Sequence, residues 1–263
     1  MKVIILAAGQ GTRLRPLTND IPKCMVKLNG KSLIERQLAS IKACGVAEDD
    51  IYILTGYKEE KLHELFQNTK IHFISNPKYE TTNMVCTLMC AKELFETESD
   101  IVVSYGDIVY TPQVFEKVLR SKEELSVIVD SGWLSYWSKR CEDPLSDAET
   151  LMKDEAGYLT EIGQKTQDIQ KVQAQYIGLM RYKNEGVKKV LNICKEAERR
   201  TQQGKSLWHT DRTYEKMYMT DMLQGLIDEG NKLKAVEIER GWYEVDCESD
   251  LRLAESELKV EIC

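Results

Sequence analysis

The chain has 263 residues, a net charge of −7 and 42% hydrophobic residues, which excludes a disulfide-dependent miniprotein and a disordered acidic chain. The charge is uneven, because residues 1–31 carry +5 and the other 232 residues carry −12. Nonspecific nucleic-acid binding needs a broad basic face, so this division excludes a nucleic-acid partner and favours a small polyanionic ligand.

Short apolar runs alternate with amphipathic stretches over the first 130 residues. The runs predict five strands, the first fully apolar and therefore buried, at residues 3–6, 51–55, 71–75, 101–105 and 125–129. The stretches between them predict helices at residues 32–44, 58–67, 83–95 and 112–120. This alternation indicates βαβ units, so we expect a Rossmann-like, doubly wound and mostly parallel α/β sheet.

The pattern changes after residue 130, where short strands and longer helices indicate an α+β portion. Strands are predicted at residues 150–153, 158–162, 174–182, 233–238 and 242–246. Helices are predicted at residues 185–202, 213–229 and 248–258. No linker rich in Pro, Gly or Ser separates the two portions, so we expect a single domain over residues 1–263.

The sequence also bears on the compartment. It has no run of 18 apolar residues, and its N-terminal apolar stretch is too short for a signal peptide. Of the eight cysteines only Cys86 and Cys90 lie close together, and no histidine is near them. A zinc site would need a second local ligand pair, so we expect reduced thiols in a cytoplasmic protein with no membrane partner.

A turn with two glycines follows the first predicted strand. Gly9 and Gly11 free backbone N–H groups for an anion-binding nest, and Arg13 adds a charged fork suited to phosphate. Leu14 replaces the third glycine of the dinucleotide fingerprint, and no Gly-Lys-Ser/Thr follows as in a P-loop. The residues predicted to contact a nucleotide here are Leu6, Ala7, Ala8, Gly9, Gly11, Thr12 and Arg13.

Two aspartates each follow a predicted strand. Gly106 and Asp107 come after residues 101–105, at the end of an open α/β sheet where the ligand crevice lies. A carboxylate there can hold Mg²⁺ against triphosphate oxygens. Asp246 ends another predicted strand just before a helix, which makes it either a second such carboxylate or a helix N-terminal acid.

Together these segments resemble the nucleotidyltransferases that activate sugar 1-phosphates and related phosphate esters. The matching motifs are G-x-G-T-R-L at residues 9–14, the Pro-Lys pair ending at Lys23, and W-x-x-V-D-x-x-x-D-L at residues 242–251. Cys247 stands where the family usually has Ser or Thr. The resemblance implies the nucleotide-diphospho-sugar transferase fold, Mg²⁺ held by Asp107 and Asp246, and a Lys23 that neutralises phosphate charge in the transition state.

Residues 76–83 distinguish branches within this superfamily. They lack the Gln-Pro-x-Gly-x-Ala stretch of the thymidylyl- and uridylyltransferases, and their Asn-x-x-Tyr…Asn pattern is similar to phosphocholine, phosphonate and phosphoglutamine cytidylyltransferases. The resemblance implies CMP transfer from CTP to a small phosphate or phosphonate, with release of pyrophosphate, in cell-surface polysaccharide or phosphonate biosynthesis. Asn83 is either a ligand contact or a helix N-cap.

The acceptor candidates lie mainly after the fifth strand. Asp130, Trp133 and Trp137 would form a cage for an ammonium group, and Arg140 would clamp a carboxylate or phosphate. The aromatic residues and Arg140 also recur at helical spacing, which favours helix packing equally. Further family positions near the acceptor match Glu161 and Gly178.

The expected chemistry is an in-line displacement at the α-phosphorus of CTP. An anionic acceptor oxygen needs no general base, so alignment and charge neutralisation suffice. Residues 1–130 would be the nucleotide-binding half and residues 131–263 the acceptor-binding half, and a homo-oligomer is left open.

Two alternatives compete with this hypothesis. One is a sugar-1-phosphate nucleotidyltransferase that uses UTP or dTTP. The other is a catalytically inactive regulatory subunit of the same fold. The second is disfavoured because the basic and acidic signature residues are all present, namely Arg13, Lys23, Asp107 and Asp246.

Overall fold

The computed structural model describes residues 1–258. The strands in this part of the chain are Lys2–Leu6 (β1), Lys27–Leu28 (β2), Lys31–Ser32 (β3), Ile51–Thr55 (β4), His72–Ser75 (β5), Asp100–Tyr105 (β6), Ile108–Tyr110 (β7), Leu125–Asp130 (β8), Glu149–Lys153 (β9), Leu159–Lys165 (β10), Gln175–Lys183 (β11), Lys234–Ile238 (β12) and Trp242–Glu244 (β13). The α-helices are Leu33–Ala43 (α1), Glu59–Leu65 (α2), Met84–Met89 (α3), Lys92–Thr97 (α4), Pro112–Arg120 (α5), Trp133–Arg140 (α6), Glu185–Gln202 (α7), Met219–Asp228 (α8) and Glu248–Glu257 (α9).

Seven strands form one sheet in the order β12-β8-β11-β6-β1-β4-β5. β1 lies between β6 and β4 and is parallel to both. β11 runs antiparallel to its two neighbours β6 and β8, and the remaining pairs are parallel. The sheet confirms the predicted mostly parallel α/β architecture.

The apolar run of β1 is buried because the sheet has a hydrophobic core on each face. Val3 and Ile5 point into one core, where α1, α5, α6 and α9 pack. Ile4 and Leu6 point into the other, which includes residues of α3, α4, α7 and α8. Successive strand residues face opposite sides of a sheet, so a strand covered on both sides carries apolar residues throughout.

Two predicted helices are interrupted in the structure. The helix expected at residues 83–95 is divided into α3 and α4, because the N–H of Ala91 bonds to the carbonyl of Leu88 in a tightened turn. The helix expected at residues 213–229 begins only at α8, after a short 3₁₀ helix at Tyr214–Lys216. Both predicted helices are therefore shorter in the structure than the sequence pattern indicated.

The helices described here are all too short or too polar to cross a membrane. The cysteines within residues 1–258 are free thiols, and Cys263 lies outside the described residues.

Candidate active site

The turn after β1 takes its shape from Gly11. This residue has a φ of +63°, and a Cβ added to it would lie 2.8 Å from the Cβ of Lys23. Its carbonyl accepts a hydrogen bond from the hydroxyl of Thr18 at 2.8 Å. The turn continues into a 3₁₀ helix, Thr12–Leu14, whose Leu14 side chain is buried. Glycine therefore allows the turn to pack directly on Lys23, and Leu14 anchors the turn in the core.

A second close approach joins the end of β6 to the end of β1. The N–H of Gly106 donates to the carbonyl of Leu6 at 2.9 Å. A Cβ at position 106 would lie 2.6 Å from that same oxygen, so a larger residue would push the two segments apart. The absence of a side chain at Gly106 thus holds Asp107 beside the glycine turn.

Asp107 and Asp246 are brought together by a small antiparallel pair of strands. β7 begins one residue after Asp107, β13 ends two residues before Asp246, and Ile108 pairs with Glu244. The N–H of Val245 donates to the carbonyl of Asp107 at 3.0 Å. Two carboxylates that are far apart in the sequence therefore emerge from the same end of this pair.

Lys23 lies between these two carboxylates. Its Nζ donates to Oδ2 of Asp107 at 2.6 Å and also to Oδ1 of Asp246. Arg13 donates to the second oxygen of Asp246 at 2.6 Å. Burial alone would lower the pKa of Lys23, but attraction first by Asp107 and then by Asp246 outweighs it and raises the pKa. The ammonium group is therefore charged throughout the physiological range.

Glu244 adds a third carboxylate that the sequence analysis missed. Oxygens of Asp107, Glu244 and Asp246 lie within 4.8 Å of one another. Burial raises the pKa of Glu244 to about 8, opposed by Arg140, which donates to it at 2.8 Å. Glu244 precedes Asp246 by two residues in a predicted strand, where alternate residues share a face. That spacing was the signal that could have identified it.

These carboxylates suit a divalent cation. Oδ1 of Asp107 is buried and has no hydrogen-bond partner within residues 1–258. Carboxylate oxygens are the ligands that Mg²⁺ takes from proteins. Asp107 and Asp246, with Glu244 beside them, are thus the residues that would hold such an ion.

A cavity of about 390 Å³ opens over the glycine turn and the carboxylates. Its walls include every residue predicted to contact nucleotide or metal, together with Asn83. The structure brings these predicted residues together: Leu6, Ala7, Ala8, Gly9, Gly11, Thr12, Arg13, Lys23, Asn83, Gly106, Asp107 and Asp246. Their individual roles stay predictions.

Asn83 lies where it can serve both as a helix N-cap and as a ligand contact, the two roles that the sequence left open. Its Oδ1 accepts from the N–H of Met84 at 2.9 Å at the start of α3, as an N-cap does. Its Nδ2 donates to the carbonyl of Lys216 at 3.3 Å, which ties α3 to the loop before α8. The same residue lines the cavity.

A second cavity, of about 320 Å³, adjoins the first. The two share four lining residues, namely Arg13, Met84, Tyr105 and Glu244. Of the predicted acceptor residues, Trp137 and Gly178 lie in its wall. Gly178 has a φ of +83°, and a Cβ there would lie 2.5 Å from the ring of Tyr105, so glycine lets this ring form the wall.

Four other predicted acceptor residues do not line either cavity: Asp130, Trp133, Arg140 and Glu161. Asp130 is fully buried and accepts hydrogen bonds from Arg240 at 2.9 Å and from the indole of Trp242 at 2.7 Å. Trp133 is buried in the core. Glu161 is half-buried on β10. In the structure the first two serve internal packing and hydrogen bonding.

Arg140 uses its donors within the protein. Its guanidinium is 5% exposed and bonds to Asp250 at 3.0 and 3.2 Å, besides its bond to Glu244. Burial would lower the pKa of Arg140, but Glu244 and then Asp250 raise it. Oδ2 of Asp250 accepts from the backbone N–H of Asp246 at 3.0 Å. The buried arginine therefore supports the position of Asp246 through Asp250 and contacts no cavity itself.

The fold and this site define a class of enzyme. A family model described as the MobA-like NTP transferase domain matches residues 3–162, which is more than half of the chain. The chain therefore belongs to this family and is a nucleotidyltransferase. The predicted superfamily is confirmed.

Individual relatives agree with the predicted branch. The chain is 40% identical to CTP:phosphoglutamine cytidylyltransferase of Campylobacter jejuni subsp. jejuni serotype O:2, over 96% of this chain and 98% of that protein. It is 43% identical to choline-phosphate cytidylyltransferase of Streptococcus pneumoniae, over 35% of this chain and 40% of that protein. A solved structure of CTP:phosphocholine cytidylyltransferase from Streptococcus pneumoniae matches 98% of both chains with a TM-score of 0.71 and 24% identity. This last likeness shows the shared fold.

Proposed function

We propose that this enzyme transfers CMP from CTP to phosphoglutamine or a closely similar small phosphorylated acceptor and releases pyrophosphate. The observation that carries the proposal is the convergence of Lys23, Asp107 and Asp246 beside the glycine turn. It occurs in a chain that resembles a phosphoglutamine cytidylyltransferase over nearly its full length. Free thiols in the described chain fit the reducing cytoplasm, where we place the reaction.

The glycine turn would hold the triphosphate of CTP. Gly9 and Gly11 line the first cavity, and the backbone N–H groups of such a turn suit phosphate oxygens. The side chain of Arg13 is 68% exposed although it bonds to Asp246. It would therefore be able to turn toward the departing pyrophosphate as negative charge builds up there.

Lys23 would stabilise the transition state. Its ammonium is charged, and its carboxylate partners fix it at the junction between the glycine turn and Asp107. A positive group held in place before the reaction stabilises charge that develops at the α-phosphate. Mg²⁺, when bound by Asp107 and Asp246, would supply further neutralisation of the triphosphate.

The second cavity would hold the acceptor. It adjoins the first at Arg13 and Glu244, so an acceptor phosphate at this junction would face the α-phosphate of CTP. The acceptor oxygen is already anionic near pH 7. The enzyme therefore only has to align this oxygen, because no proton has to be removed from it. This would account for a mechanism without a histidine base.

Pyrophosphate release tests the proposal. The purified chain with Mg²⁺ would be given CTP, UTP or dTTP, each with phosphoglutamine, phosphocholine, phosphoethanolamine, 2-aminoethylphosphonate or glucose 1-phosphate. We expect the highest kcat/KM for CTP with phosphoglutamine. Faster turnover of UTP or dTTP with glucose 1-phosphate would establish the sugar nucleotidyltransferase instead. No pyrophosphate from any pair would favour an inactive subunit.

A further inference from the structure

The wall of the second cavity contains three carboxylates, of which one has no partner. Asp147 accepts a hydrogen bond from the indole of Trp137 at 3.0 Å. Glu244 accepts one from Arg140 at 2.8 Å. The carboxylate of Glu149 makes neither a hydrogen bond nor an ion pair with any residue in the part of the chain that the structure describes. Of the three, Glu149 is therefore the one whose two carboxylate oxygens both lack a partner among the described residues.

The backbone of Glu149 is held firmly in place. Its N–H donates to Oε1 of Gln175 at 3.3 Å, and its carbonyl accepts from Nε2 of the same side chain at 2.7 Å. Gln175 is buried and also lines the cavity. Because a buried glutamine fixes both backbone groups, the side chain of Glu149 extends from a rigid point.

The nearby cations are engaged elsewhere. Nζ of Lys165 donates to the carbonyl of Asp147 at 2.8 Å, and Arg212 pairs with Asp221 at 3.0 Å. Burial raises the pKa of Glu149 to about 7, and attraction by Lys165 opposes the rise only in part. A carboxylate that is desolvated without a partner gains most from a cation brought by a ligand.

Aromatic rings complete the wall around this carboxylate. The cavity is lined by Tyr105, Trp137, Tyr176 and Tyr218, whose faces attract a cation. Its one basic lining residue, Arg13, lies at the junction with the first cavity, where it bonds to Asp246. The cavity thus has a guanidinium at the junction and an unpaired carboxylate at Glu149, which suits a molecule with phosphate at one end and an ammonium group at the other.

We propose that Glu149 selects acceptors that carry a primary ammonium group by accepting hydrogen bonds from that group. This proposal rests on the proposed function in one respect: the acceptor is taken to bind with its phosphate at the junction of the two cavities. A primary ammonium has N–H donors for the free carboxylate oxygens. A quaternary ammonium has none, so it would keep the attraction of its charge to the carboxylate and the aromatic rings but lose the hydrogen bonds.

Calorimetric binding tests this selection. Phosphoglutamine and its analogue lacking the α-amino group would be titrated into wild-type protein, Glu149→Gln and the control Glu155→Gln, each with Mg²⁺ and a CTP analogue that cannot be cleaved. Glu155 is exposed in the turn between β9 and β10 and lines neither cavity. We expect wild type and Glu155→Gln to bind phosphoglutamine at least about tenfold more tightly than the analogue, as one charge-assisted hydrogen bond provides.

In Glu149→Gln the two compounds should bind within about twofold of each other, because the amide keeps the shape of the side chain and loses its charge. Equal binding of both compounds to wild type, or a preference that survives in Glu149→Gln, would overturn the proposal. Wild type alone supplies a second test, in which phosphoethanolamine should bind more tightly than phosphocholine. Equal or weaker binding of phosphoethanolamine would likewise overturn it, even if the variant failed to fold.

Pyrophosphate release, measured on the same protein preparations with CTP in place of the analogue, separates the two proposals. Binding with an amino preference but no pyrophosphate would contradict the proposed function and leave the role of Glu149 standing. Pyrophosphate release without an amino preference would contradict the role of Glu149 and leave the proposed function standing.

Discussion

The two cavities meet at Arg13 and Glu244 and are built in different ways. The first depends on two tight backbone approaches, at Gly11 and Gly106, and on carboxylates presented by one pair of strands. The second is lined by residues of α3, α6, β6, β9, β11 and β13, of the start of α8 and of the glycine turn. Phosphate recognition by backbone N–H groups needs a local shape, which a short motif can encode. Recognition of the far end of an acceptor needs side chains that only folding assembles.

The largest effect is expected at Arg140, which supports both cavities without lining either. Replacing it with Ala would leave Asp250 and Glu244 buried without their cation, so we expect a loss of about 3–5 kcal/mol in the free energy of unfolding. Urea unfolding followed by circular dichroism measures it. The control is Lys139→Ala, which removes an exposed ion pair to Glu257 and should cost at most about 1 kcal/mol.

This variant also tests the alternative that Arg140 clamps the acceptor. In that case the free energy of unfolding would stay near that of wild type while the KM for the acceptor rose. Such an outcome would extend the second cavity to include Arg140 and contradict its assignment to internal packing.

Lys23→Ala removes the ammonium group that lies between the two aspartates of the first cavity. We expect kcat for pyrophosphate release to fall at least about 10²-fold, because a fixed positive group that meets transition-state charge is lost. Lys27→Ala is the matched control, since Lys27 is exposed on β2 and lines neither cavity. A kcat for Lys23→Ala close to that of Lys27→Ala would remove Lys23 from the mechanism.

Asp246→Asn tests whether Asp246 helps to hold Mg²⁺ in the first cavity. With one carboxylate neutralised, the Mg²⁺ concentration needed for half-maximal activity should rise about 10- to 100-fold. A Mg²⁺ titration of the rate measures it, with Asp211→Asn, an exposed site, as control. If EDTA left the wild-type rate unchanged, the metal hypothesis itself would be wrong.

The smallest effect is a pH dependence of stability in the second cavity. The pKa of Glu149 is raised from its usual 4.5 to about 7, so the folded chain holds this proton more tightly than the unfolded chain. Its contribution to stability is therefore complete below about pH 4.5 and is lost as the pH rises through 7. Because the cavity admits solvent, we expect wild type to lose only about 1–2 kcal/mol relative to Glu149→Gln over this range.

Urea unfolding at about pH 5 and about pH 8 measures this difference. Glu155→Gln should differ from wild type by the same amount at both pH values, because its carboxylate is exposed. A constant difference between wild type and Glu149→Gln would show that the carboxylate is well solvated and would weaken the contrast between the cavities.

More of the residues that line the first cavity than of those that line the second were predictable from the sequence. The predicted nucleotide, metal and lysine positions all line one cavity, namely Leu6, Ala7, Ala8, Gly9, Gly11, Thr12, Arg13, Lys23, Gly106, Asp107 and Asp246. For the second cavity only Trp137 and Gly178 were predicted, and Glu149 was missed. Residues 144–149 are similar to the phosphocholine and phosphonate branch as a segment, but nothing in the sequence assigned Glu149 itself a role. One acid at the start of a short strand is indistinguishable from a solvated one until the neighbouring strands are in place.

Neither cavity is built from only one of the two predicted halves of the chain. The first cavity takes Glu244 and Asp246 from the second half, and the second cavity takes Met84 and Tyr105 from the first. The pairing of β7 with β13 is responsible, since it fastens a segment near residue 245 to the end of β6. β7 spans only Ile108–Tyr110, too short for a periodic pattern.

Short motifs in the amino-acid sequence identified the family by resemblance. The sequence alone also specified the mostly parallel sheet and the glycine turn, because hydrophobic periodicity and backbone conformation act over a few neighbouring residues. The tertiary structure decided which carboxylates share a site and which are neutralised inside the protein. Arg140 and Asp130 show this, since the charged side chains to which they hydrogen-bond lie more than 100 residues away and only packing reveals these bonds. Glu149 shows the converse, since only packing reveals that its carboxylate has no partner among the described residues.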